Sequence, residues 1–178
     1  MADASSNGAV TSLAMAPAYA HVPQAAQGPA MVQTYRVCFA DTDALGIVYH
    51  ARYFEMAERN HNELLLRLGI SVAEMARDVR DGRAEIVLAL HDVAAKFISP
   101  AFPYDVLTLE TEIRRHTPAR SRWRTTIVRI HSPICVIEAA LVCINLRTGK
   151  AVMMPPTIDE AIGTAARERI STVSAIGA

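Results

Sequence analysis

Apolar and polar positions repeat along this chain with two different periods, and each change of period marks a predicted element. From Met31, a β-prone run of Val32, Thr34, Tyr35, Val37, Cys38 and Phe39 predicts a first strand. The spacing then turns helical over Tyr49 to Leu68. Tyr53, Phe54, Ala57, His61, Leu64, Leu65 and Leu68 fall on one arc, and Arg52, Glu55, Arg59, Glu63 and Arg67 cover the other. Gly69 is a natural stop. Twenty helical residues reach about 30 Å, enough to cross the face of a sheet.

A short helix is predicted over Ser71 to Arg80, followed by a turn at Asp81-Gly82. Strand-like runs then recur at 86–97, 105–115, 121–131 and 134–145. Leu107, Leu109 and Ile113 alternate with Thr108, Glu110 and Glu112, as a half-buried strand requires. The run from Ile134 to Ile144 is apolar on both parities and reads as a central strand. Such close spacing leaves no room for crossover helices, so the fold class is α+β, an antiparallel sheet with the long helix on one face. Pro155-Pro156 ends the sheet, and Ile158 to Ile170 predicts a terminal helix before a small-residue tail. The organisation is therefore a disordered arm over 1–30, a folded domain over 31–156, and a helix and tail over 157–178.

The 178 residues suit one domain, and 51% hydrophobic content suits a sizeable core. Lys plus Arg and Asp plus Glu stand at 18 each, so no global field favours nucleic acid or an acidic membrane. Cys38, Cys135 and Cys143 are odd in number and scattered, which points to reduced, buried thiols and a cytoplasmic setting. The N-terminal stretch lacks the basic start of a signal peptide, and no run is long enough to span a membrane. No zinc-type, nucleophile-elbow or phosphate-loop motif occurs, so neither metal nor redox cofactor is expected.

Candidate chemistry concentrates in Asp41-Thr42-Asp43-Ala44-Leu45-Gly46-Ile47-Val48-Tyr49-His50. Carboxylates just ahead of a helix N-terminus suit work on a polarised carbonyl, because unpaired first-turn amides favour negative charge on an oxygen. An Asp-x-Asp before a helix also serves as a simple turn cluster, and Asp41 is the better candidate for that duty. His61, mid-arc on the apolar face, reads as a hydrogen-bonded core or interface histidine. The segment from Arg114 to Arg124 is the strongest local cationic cluster.

The ten-residue block, the following helix with Tyr53, Glu58 and Arg59, and the later Ser99-Pro100 and Tyr104 to Thr111 segments resemble the hotdog-fold acyl-CoA thioesterases of the 4-hydroxybenzoyl-CoA thioesterase family, nearest its YbgC-type branch. The similarity covers roughly 31–156. It implies a five-stranded antiparallel sheet wrapped around one long central helix, and homodimers with active sites between subunits that assemble to homotetramers. Asp43 matches the catalytic carboxylate, acting as nucleophile or general base, and His50 matches the branch's second catalytic position. Tyr49 and Gly46 would form or border the oxyanion site, the former through its amide and the latter by close backbone approach. Arg120 and Arg122 are the expected contacts to coenzyme A phosphates, coenzyme A being part of substrate and product. Two other readings stay open: a thioesterase acting on carrier-protein thioesters of polyketide or fatty acyl chains, and a non-hydrolytic hotdog module that binds acyl thioesters or another protein.

Overall fold

The computed structural model describes residues 30–174, with side chains through residue 167. The arm expected over 1–30 lies outside the described residues apart from Ala30, as does the end of the tail beyond 174. Strand β1 (Met31–Arg36) leads through one 3-10 turn, Phe39–Asp41, to helix α1 (His50–Arg67) and a short helix α2 (Val72–Arg80). There follow β2 (Ile86–Phe97), β3 (Val106–Thr117), β4 (Arg120–Arg129), β5 (Ser132–Asn145), β6 (Lys150–Val152) and helix α3 (Pro156–Ser174).

All strands pair antiparallel in one sheet ordered β1-β3-β4-β5-β2. The sheet has six strands rather than five, because β6 pairs with β5 at Cys143–Val152, in the lane that β4 leaves at Ser121. The expected central strand is β5, which is interior and buried on both parities from Ala139 to Cys143. The middle of the five-strand path, however, is β4. Register slips at Leu90/Asp92, Ile113/Arg115 and Ile127/Val128 add local twist, which helps a sheet curve around a helix.

The α1 arc buries Tyr53, Met56, Ala57, Asn60, His61, Leu64 and Leu65 against the sheet. Met56 and the polar Asn60 join the expected set, while Phe54 and Leu68 are only half-buried. The helix closes with Ile70 N–H donating to the Leu65 carbonyl at 2.8 Å and Gly69 N–H to the Leu66 carbonyl at 3.0 Å. Gly69 holds φ +77 there, so the stop read from sequence is a Schellman cap. Pro156 opens α3 two residues before the expected start, since a proline's missing N–H costs nothing in a helix's first turn. Two apolar clusters fill the interior. One gathers Leu64, Trp123, Leu141 and Ile162, and the other gathers Tyr53, Met56, Leu107 and Ile127. Cys135 and Cys143 are buried as expected, but Cys38 is exposed, since it sits in the loop after β1; all three thiols are free. This is the α+β hotdog arrangement, with one long helix held across an antiparallel sheet.

Candidate active site

Between β1 and α1 the chain folds back into a small hairpin. Asp43 N–H donates to the Ile47 carbonyl at 2.9 Å, Thr42 bridges Val48, and Tyr49 N–H donates to the Asp41 carbonyl at 2.9 Å. Gly46 N–H closes the tip on the Asp43 carbonyl at 3.0 Å. Gly46 has φ +73, and a Cβ there would meet nothing within 4 Å, so the turn's left-handed backbone alone accounts for this glycine. The second arm of the hairpin runs straight into α1. It is anchored to the loop before β3 by Val48 N–H on the Ala101 carbonyl at 2.9 Å.

Asp41 is the buried foundation of this hairpin. Its carboxylate accepts the Tyr35 hydroxyl at 3.0 Å and the Cys38 N–H at 2.7 Å, with the Arg52 guanidinium 3.9 Å away. Burial, then the bond to Asp41, pushes the Tyr35 phenol up from its ordinary pKa. A buried carboxylate so supplied with donors is a structural group. Asp43, half-buried, is used differently. One oxygen accepts the Leu45 N–H at 2.8 Å, as a turn aspartate does, and the other has no partner among the described residues.

Two rungs of the hairpin, about 7 Å of strand, separate Asp43 from Tyr49 at the N-cap of α1. The Tyr49 amide is committed to Asp41, contrary to its expected place in an oxyanion site. The His50 and Ala51 amides, first in the helix, have no intrahelical carbonyl to accept them. His50 is exposed, its ring 4.4 Å from that of Tyr49 and 6.3 Å from that of Phe97. Phe97 also meets Tyr53 at 5.8 Å and Phe54 at 6.5 Å. The result is a carboxylate oxygen, an imidazole and a helix N-terminus bordered by apolar rings.

Arg120 and Arg122 lie elsewhere. With Arg115 and Thr117 they line a cleft of about 220 Å³ at the β3–β4 turn. The hairpin of Asp43 instead adjoins the opposite end of β3, where Val48 N–H meets the Ala101 carbonyl in the preceding loop and Val37 N–H, just upstream of the hairpin, meets the Asp105 carbonyl, each at 2.9 Å. Twelve strand residues span about 35 Å, so one chain does not bring these arginines to its own Asp43.

Deeper along α1 runs a buried polar chain. Asn60 Nδ2 donates to Thr111 Oγ1 at 2.7 Å, Thr111 and Thr125 share a hydroxyl bond at 2.7 Å, and Thr125 Oγ1 meets His61 Nε2 at 2.9 Å. Burial drives the His61 pKa down to about 4, so the ring is neutral. His61 is thus the hydrogen-bonded core histidine its position on the arc implies. Sequence reasoning missed Asn60, Thr111 and Thr125, although the two threonines sit on the inward parity of their strands. It also missed Phe97.

A family model described as "Thioesterase-like superfamily" matches residues 37–162. The acyl-CoA thioesterase YbgC of Haemophilus influenzae is 26% identical over 126 residues, which are 71% of this chain and 89% of that protein. A probable thioesterase from Bartonella henselae, solved as a crystal structure, is 31% identical with a TM-score of 0.62, covering 70% of this chain and 98% of the other. A hypothetical protein of Staphylococcus aureus in complex with CoA shares the fold at a TM-score of 0.69 and 16% identity, covering 78% of this chain and 85% of its own. Among the described residues no helix is long and apolar enough to cross a membrane, and no cluster of His, Cys, Asp and Glu has the makings of a metal site.

Proposed function

The chain belongs to the thioesterase-like superfamily, and on that premise we propose that it hydrolyses acyl-CoA to a free carboxylic acid and coenzyme A at the Asp43 hairpin. The observation that carries the reading is the unpartnered carboxylate oxygen of Asp43, held by a glycine-closed turn just ahead of the first amides of α1. The thioester carbonyl oxygen would lie against the His50 and Ala51 amides. As the carbonyl carbon becomes tetrahedral its oxygen gains negative charge, which the helix N-terminus favours.

The free oxygen of Asp43 either takes a proton from an attacking water or itself adds to the carbonyl carbon, forming an anhydride that water then opens. In both routes the C–S bond breaks as the tetrahedral state collapses, and water supplies the hydroxyl of the acid. His50, at the exposed rim, orients the water or returns a proton to the departing thiolate. The Tyr49 ring steadies His50, and the apolar rings around Phe97 exclude competing water. The reaction in this reading needs no metal or organic cofactor.

Two supports come from the edges of the molecule. β2 is a twelve-residue edge strand with Leu90, Val93 and Phe97 between 41% and 55% exposed, an unstable arrangement for a lone chain. It is the face on which a homodimer with a continuous sheet would form, and pairs of dimers would give the tetramer. Arg115, Arg120 and Arg122 are in no ion pair among the described residues, and this suits phosphate contacts. At their distance from Asp43, those contacts belong to coenzyme A held at a second copy's site. The three free thiols favour a reducing, cytoplasmic setting.

A carrier-protein thioester is the alternative substrate, since the same arginines suit an acidic docking partner. Comparing kcat/KM for one acyl group on coenzyme A and on its carrier protein tests the choice. The coenzyme A thioester is expected to be the better substrate, and a clear preference for the carrier-bound chain would contradict the proposal.

A further inference from the structure

Between α1 and the strands β2 and β5 lies a cavity of about 260 Å³. Its walls are mostly apolar, with Phe54, Leu88, Ala139 and Leu141 among them. Glu58 and Asn62 stand at the exposed rim, whereas His61, only 7% exposed, forms the one buried polar part of the lining. Phe54, the lining residue nearest the candidate site along α1, is one helical turn, about 6 Å, past His50, with the Phe97 ring in contact with both. His61 lies about 10 Å deeper along the same helix.

An apolar cavity of about 150 Å³ accepts benzene, so this one has room for a larger group. Its polar floor is specific in what it accepts. Nε2 of His61 is taken by Thr125, while Nδ1 of this cavity-lining residue has no partner among the described residues. If the Thr111 hydroxyl donates to Thr125, the Thr125 proton goes to Nε2 and Nδ1–H becomes a donor into the cavity. If Thr125 donates to Thr111, Nε2–H donates to Thr125 and Nδ1 becomes an acceptor. A ligand hydroxyl, both donor and acceptor, satisfies either state. A carboxylate satisfies only one and meets Glu58 at the rim.

We propose that this cavity holds the acyl group of the thioester, and that His61 selects a medium-sized acyl chain bearing a hydroxyl remote from the carbonyl. This rests on the thioesterase reading for the position of the carbonyl, but the cavity can be tested apart from hydrolysis. Calorimetric binding of matched acids (octanoic, decanoic and dodecanoic against their ω-hydroxy forms) should show a preference of about tenfold for the hydroxy acid at one length, the value of one ordinary hydrogen bond. His61→Phe should abolish the preference, and Thr125→Val, a milder change, should reduce it. Ala139→Leu, which fills part of the cavity, should weaken the longer acids more than the shorter. Hydroxyl preference at no length, or one indifferent to both His61→Phe and Thr125→Val, would overturn the proposal. Turnover of the corresponding acyl-CoAs separates the two readings. Preferential binding without thiol release supports the cavity while refuting the hydrolase, and thiol release with no preference in binding or rate refutes the cavity alone.

Discussion

Asp41 and Asp43, two residues apart, show how environment divides like side chains between structure and chemistry. Two donors, the Tyr35 hydroxyl and the Cys38 N–H, hold the Asp41 carboxylate, and Asp43 keeps one oxygen free. Asp41→Asn is therefore expected to lower stability by about 1–3 kcal/mol through a disturbed buried bond set, measurable by denaturant unfolding. Asp43→Asn is expected to leave stability nearly unchanged. The sequence placed both residues in a turn ahead of a helix, and it ranked Asp41 as the structural one. The committed Tyr49 amide was not legible, because hairpin pairing between residues 41 and 49 depends on the register of the whole loop. His61 adds a pH dependence of stability. Its folded pKa of about 4 lies below the unfolded value of 6.5, so the unfolded chain takes up the proton first. Stability should be fully present above pH 6.5 and fall by about 1.4 kcal/mol per pH unit as pH drops toward 4. Replacing His61 with Gln should flatten that part of the profile in urea unfolding measured across pH.

At the level of elements, the hairpin tip and the sheet edge make separate demands. Gly46 sits in the left-handed region with open space around it, so an alanine there meets no neighbour yet strains the backbone. Gly46→Ala should cost about 1 kcal/mol in unfolding free energy and lower kcat more than it raises KM, because the turn aims Asp43. The helix and strands were legible because their apolar spacing follows local geometry. β6 was not, since three residues carry no periodicity and its pairing with Cys143 to Asn145 depends on where β4 ends. β4 as the middle strand was equally hidden, because its Ser121 and Thr125, like Thr111 on the adjacent β3, are polar yet fully buried. Sequence hydropathy scores such positions as surface, but the hydrogen bonds across α1, β3 and β4 satisfy the two threonines, and Ser121 accepts the indole N–H of Trp123.

Taken as a whole molecule, one chain holds a carboxylate site at one end of β3 and a cationic cleft at the other, with a long strand, β2, whose outer edge is unpaired among the described residues. These features fit an assembly of copies better than a lone chain. Val93→Lys, placing a charge on the β2 edge, should shift the mass measured by light scattering toward the monomer and reduce activity with it. Arg120→Ala with Arg122→Ala should raise KM for acyl-CoA while sparing kcat, as lost uniform binding does. The central claim, that the free oxygen of Asp43 drives thioester hydrolysis, is tested most directly by thiol release from short, long and aromatic acyl-CoAs with wild type and Asp43→Asn side by side. The expected result is turnover of at least one thioester by wild type and a loss of about 10²–10⁴-fold in the folded variant. Silence of wild type across the set, or a variant as active as wild type, would contradict it.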